Sequence, residues 1–491
     1  MNVIIPILLP LLAALLIQVS GRLLGDDPKG NNLRDGLHTL MAVITFFFVT
    51  QLIPDVMSGE RPSFLLSELF PGGTIEWRVE PLGLLFALVA SGLWIVTSVY
   101  GFGYMRGHEE QNQTRFFTCF ALAISFAIGV AFSANLLTLF AFYEALTFST
   151  FPLVTHYQNA EARRAGRIYI GILVTTSVCL LLSGVAGVYF VSGTLEFTPG
   201  GVLAGKAESG TIMLLLGLFA FGTAKAALFP FHKWLPNAMV APTPVSALLH
   251  AVAVVKAGVF TILKVIIYIF GLDLLSETNA SDWLMAVAAF TILFSSVVAL
   301  FKDNLKARLA YSTISQLSYI VLGAAMANPA AALGAAMHIV MHAVGKITLF
   351  FCAGAIFVGA HKKYISQMDG LAHKMPWTMA AFTVASFSII GVPPLGGMWS
   401  KWFLGQGALE AEAPIYMVVL MISSLLSIGY LMPVVARAYF RKPSEKDAHL
   451  HEAPLLCVIP LCITAVGCVL LFLFPTPLRD LLLPILGEVT R

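Results

Sequence analysis

Apolar runs of about twenty residues recur along nearly the whole 491-residue chain, separated by short loops that hold most of its charge. Wound as a helix, a run of that length spans the ~30 Å hydrocarbon core of a bilayer. In hydrocarbon every backbone N–H and C=O must be satisfied within the structure, and a helix does so inside a single segment. The runs predict helices near 2–20, 34–54, 81–105, 114–132, 135–157, 167–192, 210–230, 243–270, 282–301, 308–327, 330–360, 375–409, 413–439 and 453–474, an all-α polytopic membrane protein of fourteen spans. A composition of 58% hydrophobic and 11% charged residues, with a mean hydropathy of +0.85, agrees. The first run, MNVIIPILLPLLAALLIQ, has no Lys or Arg ahead of it and no small-residue cleavage site, so it is expected to remain as the first span. Segment 60–80 is too polar to cross and alternates in Ile75-Glu76-Trp77-Arg78-Val79-Glu80, which predicts a short β-hairpin outside the membrane.

Basic residues orient the spans. Of 29 Lys and Arg, 19 fall on one set of alternate loops (those holding Arg22, Arg106, Arg163, Lys233, Lys302, Lys362 and Arg441) and 5 on the other. The positive-inside rule then puts both termini outside. A net charge of +3, scattered through short loops, excludes a nucleic-acid binder. The six cysteines lie in apolar stretches without a CxxC pair or a histidine at ligand spacing, so no disulfide, iron–sulfur cluster or structural zinc is expected.

The remaining 5 basic residues, Lys225, Lys256, Lys264, Lys346 and Lys401, sit inside spans, and the single intramembrane carboxylate is Glu144. Each costs ~2.5–3.5 kcal/mol at mid-span, so a chain that keeps them needs a reason. Lys264, six residues from its helix end, reads as interhelical glue or a snorkelling side chain. The others read as function: a lysine's proton can be held by a neighbouring carboxylate and released when that partner withdraws, whereas arginine keeps its proton, and no arginine lies at mid-span. His338, His342 and Lys346 follow at i, i+4 and i+8 and predict a proton relay along one helix face. A zinc pair is the weaker reading, because no Glu follows the first His and no third ligand is evident. His250, six residues before Lys256, is a further relay candidate on a different face, with an ordinary buried histidine as its alternative.

Two lysines lie beside helix breakers. Lys225 precedes Pro230, Pro236, Pro242 and Pro244; Pro393, Pro394, Gly396 and Gly397 precede Lys401. Broken helices survive at depth only where protein or water satisfies the freed backbone. The breaks fall in the seventh and twelfth spans, five apart, which reverses the direction of crossing. Together with the weak likeness of HKWLPNA to SKWFLGQ, this predicts two inverted five-helix repeats, 111–272 (spans four to eight) and 273–441 (spans nine to thirteen). An N-terminal three-helix segment, 1–110, would precede them, and a last span with a tail, 442–491, would follow.

The segments AFYEALTFSTFPL, FGTAKAALFPFHKWLPNAMVAPTPVSALLHAVAVVKAGVF, KARLAYSTISQLSYI, MHIVMHAVGKITLFFCAG and GVPPLGGMWSKWF, in that order within residues 110–440, resemble the proton-translocating antiporter family. That family is shared by Mrp-type cation/proton antiporters, the antiporter-like subunits of respiratory complex I and membrane-bound hydrogenases. The resemblance implies fourteen helices with inverted repeats, a hydrophilic axis, no cofactor, and residence in a bacterial inner membrane among lipid and the other subunits of a hetero-oligomeric Mrp-type antiporter. It implies that Glu144 is the fifth-helix glutamate paired with Lys225, that Lys256 is the central lysine, that His338, His342 and Lys346 are the relay, and that Lys401 is the exit residue. Length and flanks are most similar to the D-type antiporter subunit of Mrp complexes. Lysine at 401 departs from the central complex I subunit, where glutamate is usual, and the chain ends too soon for the lateral helix of the distal one. The ions expected are protons, with sodium assigned mainly to a partner, since one carboxylate is a poor sodium site. The alternatives are a proton-pumping subunit of a redox complex and a non-transporting scaffold.

Overall fold

The computed structural model describes residues 3–24, 28–248, 253–443, 447 and 450–489. The chain opens with α1 (Ile5–Leu24), α2 (Pro28–Thr50) and a one-turn α3 (Ile53–Met57), then the expected hairpin, β1 (Ser63–Phe70) paired antiparallel with β2 (Gly73–Arg78). Next come α4 (Pro81–Gly107), α5 (Gln113–Ala131) and α6 (Leu136–Val154); α7 (Ala160–Thr176) then runs through a π-turn at Ser177–Leu181 into α8 (Leu182–Ser192). A broken region holds α9 (Ser209–Gly222), α10 (Trp234–Asn237), α11 (Thr243–Ala247), α12 (Val254–Val265) and α13 (Leu272–Thr278). The rest comprises α14 (Asp282–Leu300), α15 (Leu305–Ala325), α16 (Pro329–Ala360), α17 (Pro376–Ile390), α18 (Gly397–Glu410), α19 (Pro414–Phe440), α20 (Leu455–Leu473) and α21 (Thr476–Val489).

Lipid rather than water is the solvent for this bundle. Leu8, Leu12, Leu15, Val19 and Leu23 form an exposed stripe at helical spacing on α1, and Leu455, Ile459, Ile463, Val466, Leu470 and Leu473 form another on α20. Such faces are stable only in hydrocarbon, which makes this an integral multi-pass membrane protein. Ten helices among the described residues are long and apolar enough to cross, and Val254–Phe270 with Leu272–Thr278, bent by 80°, qualifies as one more.

Three expected spans miss that criterion for physical reasons. The runs 210–230 and 375–409 are each split, the first stopping as a helix at Gly222 and the second between Ile390 and Gly397. The third is α15, which is regular but carries Lys306, Arg308 and many hydroxyls; being enclosed by other helices, it need not be apolar all round.

Four helices begin on an asparagine whose side-chain oxygen accepts a backbone N–H three residues on: Asn135 from Thr138 on α6, Asn159 from Ala162 on α7, Asn304 from Ala307 on α15 and Asn328 from Ala331 on α16. At the centre, α16 is buried along nearly its whole length and carries His338, His342 and Lys346. The tail expected after the last span holds α21, whose Leu481, Leu482 and Ile485 are buried.

Candidate functional site

The break after α9 delivers Lys225 into the protein interior. α9 stops at Gly222, a 3-10 turn covers Ala224–Ala226, and Ala227 takes a left-handed φ of +58° that prevents the helix from resuming. Freed backbone groups find side-chain partners: the Trp234 indole N–H donates to the Ala224 carbonyl at 2.9 Å, and the Lys225 N–H donates to the Tyr143 hydroxyl at 3.2 Å. Trp234→Phe strips the indole donor from that carbonyl and is expected to cost about 1–3 kcal/mol, read as a lowered thermal unfolding midpoint of the purified protein; an unchanged midpoint would contradict this role.

The Lys225 ammonium donates to the Tyr143 carbonyl at 2.5 Å and the Thr147 hydroxyl at 2.6 Å, and lies 3.2 Å from the Tyr143 ring centroid. The resemblance pairs this lysine with Glu144, yet among the described residues no ion pair joins the two. Glu144 is the next residue on α6, half-buried, with Oε1 enclosed and without a hydrogen-bond partner. Contact is therefore made by the residue before the glutamate.

From α12, fully buried Lys256 reaches the central helix, its Nζ 2.5 Å from Nδ1 of His342. The His342 and His338 rings stack with centroids 5.8 Å apart, and His338 stacks on Tyr319 at 5.4 Å. Nδ1 of His338 lies 2.8 Å from the Ser400 hydroxyl on α18, next to Lys401. Lys401, half-buried, donates to the Ile390 carbonyl freed by the second break and to the Ser424 hydroxyl, both at 2.9 Å, with the Tyr319 ring 5.2 Å away. Lys346 branches off: it donates to the Ser312 hydroxyl at 2.6 Å, which meets the Tyr430 hydroxyl at 2.8 Å. His250 lies outside the described residues.

Sequence reasoning missed Tyr143, Thr147, Ser312, Tyr319, Ser400, Ser424 and Tyr430. The hydroxyls are common residues whose roles appear only when helices distant in sequence meet, although Tyr143 and Ser400 each adjoin a residue singled out as charged. Lys264 is buried and tied to Glu80 at 2.5 Å, so its expected role as glue gains a named partner.

Two cavities lie among these helices, and the second of them reaches Lys401. One of about 880 Å³, on the side of the strongly basic loops, is lined by Tyr104, Arg164, Asn237, Thr243, Lys306 and Lys362 and borders α10 and α11. A groove of about 410 Å³ between α18 and α19 has Lys401 and Ser424 among apolar side chains, with Trp402, Met421 and Leu425 exposed along it.

Residues 133–427 match the family model described as NADH:quinone oxidoreductase/Mrp antiporter, TM. The chain is 32% identical over 486 residues to NADH-quinone oxidoreductase subunit N of Desulforudis audaxviator, covering 95% of each. It is also 32% identical over 451 residues to a protein of Rhizobium meliloti named for a K(+)/H(+) antiporter, covering 89% of this chain and 44% of that longer one. A chain of the Mrp complex from Dietzia sp. shares the fold with a TM-score of 0.85 at 20% identity, over 99% of this chain and 96% of that one.

Proposed function

Because the chain belongs to the NADH:quinone oxidoreductase/Mrp antiporter membrane family, we propose that it is the proton-translocating subunit of a multi-subunit Na+/H+ antiporter of the Mrp type. The observation that carries this reading is the run of amine, imidazole and hydroxyl contacts from Lys256 through His342 and His338 to Ser400, beside Lys401, inside otherwise apolar helices. Each of its ionisable members can take up and release a proton. With Glu144 ionised, Lys225 holds its proton against the Tyr143 carbonyl; when that field weakens, the proton passes toward Lys256 and along α16 toward Lys401, with Lys346 as a side store.

The partners of this reading are the other subunits of the antiporter, one of which carries most or all of the sodium path. The chain itself catalyses no reaction. Its membrane is the bacterial inner membrane, both termini face outside, and fourteen crossings include two inverted repeats at 111–272 and 273–441. Supporting the repeats, the asparagine caps at the start of α6 and α7 recur on α15 and α16, which hold the matching places in the second unit. Length and Lys401 favour the position of the D-type Mrp component. A second reading, a proton-pumping subunit of a redox complex, is favoured by the full-length likeness to an NADH-quinone oxidoreductase subunit. It uses the same line with a different driving reaction.

Sodium-driven proton exchange in inverted membrane vesicles tests the proposal. Glu144→Gln and Lys225→Ala are each expected to lower exchange at least tenfold with the complex still assembled. Near wild-type exchange in both would sink it.

A further inference from the structure

A buried ion pair on α12 lies outside the line described above. Every residue of α12 is buried, and it carries Lys264 two turns beyond Lys256, about 12 Å along the axis. Lys264 Nζ lies 2.5 Å from Glu80 Oε1 and donates to the Ser133 carbonyl at 2.7 Å, with the Phe197 and Phe260 rings at 4.6 and 5.5 Å. Glu80 is the cap residue of α4, two residues after the end of β2. Above it, Arg78 pairs with Glu76 at 3.0 Å and with Glu196 at 3.2 Å, and these three side chains are partly exposed. Burial raises the Glu196 carboxyl above the usual carboxylate range, with Arg78 opposing the shift. Three residues before Lys264, the Thr261 hydroxyl is buried and has no hydrogen-bond partner among the described residues, which leaves a polar atom for a water molecule to meet.

A purely structural pair would not need a lysine. A buried ion pair is weak support for stability in itself, and an apolar pair of similar volume often serves as well. What Lys264 adds is a proton that can leave.

We propose that Lys264 and Glu80 form a second branch of the proton line, connecting Lys256 to the aqueous surface beneath the β-hairpin. The inference rests on the proton-carrying reading given above. In the step itself, the Lys264 ammonium passes its proton to the Glu80 carboxylate, leaving a neutral amine and a neutral acid. The acid then releases the proton to water among Glu76, Arg78 and Glu196, and a proton from Lys256 restores the Lys264 ammonium through water near Thr261. Protons and charges balance at each stage.

Lys264→Arg in the assembled complex separates the two roles, since guanidinium keeps the ion pair and holds its proton at any working pH. Sodium-driven proton exchange in vesicles is expected to fall at least tenfold with assembly unchanged; wild-type exchange would overturn the branch. Should the larger head group prevent assembly, Glu80→Gln decides: a tenfold loss supports the branch and a wild-type rate overturns it. Lys225→Ala, measured alongside, distinguishes the failures. Its loss of exchange beside wild-type rates at Lys264→Arg overturns the branch alone, whereas wild-type rates in both overturn the proton-carrying reading as well.

Discussion

Replacing Lys256 by methionine is expected to lower sodium-driven proton exchange at least a hundredfold while leaving the folded protein as stable as before or more so. The ammonium is fully buried, and among the described residues its polar contact is one histidine nitrogen, at 2.5 Å. Holding a lysine at such depth costs ~2.5–3.5 kcal/mol, and exchanging buried charge for an apolar side chain of similar volume is neutral or stabilising by about 1–4 kcal/mol in soluble cases. Methionine is unbranched and fills the channel left by the lysine stem. Under the proposed function transport needs an amine that stability does not, so the two properties should move apart. Thermal melts of the purified complex beside vesicle assays check this; a lower midpoint with exchange retained would reverse the assignment.

The second large effect is expected at a residue with no charge at all. Gly258 sits where α12 presses on the broken segment: a Cβ there would lie 2.3 Å from the Ala226 nitrogen and 2.4 Å from the Lys225 carbonyl carbon. Both are backbone atoms, which cannot turn aside as a side-chain tip would. Gly258→Ala must push the Lys225 backbone away from α12, disturbing an ammonium held at 2.5 and 2.6 Å by Tyr143 and Thr147. Displacing a reacting group by ~1 Å can cost about a hundredfold in rate, and overpacking costs ~1–3 kcal/mol. Exchange in Gly258→Ala should fall at least tenfold with every ionisable residue in place, and Gly258→Val should fail to assemble. Wild-type exchange in Gly258→Ala would show that the approach of α12 to Lys225 is unimportant.

Much of this architecture was legible in the residues, because hydrophobic run length and loop charge act locally. The hairpin at β1 and β2, the breaks beside Lys225 and Lys401 and the stacking of His338 on His342 follow from spacing alone. The partners of the buried lysines were less accessible. Tyr143 and Glu144 are adjacent in sequence but about 100° apart around α6, and which of them meets Lys225 is set by the rotation of that helix in the bundle. Glu80 ends the segment whose polarity predicts a hairpin outside the membrane, although the fold covers it and ties it to Lys264. Ser312, Tyr430 and Ser400 are the kind of residue found on any enclosed helix, and only the packing of α15, α18 and α19 around α16 brings them to the line. α21 escaped notice because Pro484, Asp480 and Glu488 make its run look like a polar tail.

The proposed function has protons cross by way of groups able to give them up. It is tested most directly by purified complex in proteoliposomes enclosing a pH-sensitive dye, with a sodium gradient imposed and Lys256→Arg compared with wild type. Arginine keeps the positive charge next to His342 and does not release its proton. The expected result is an assembled complex whose sodium-driven change in internal pH is reduced to the level of protein-free liposomes. Proton movement at the wild-type rate in Lys256→Arg would contradict the claim.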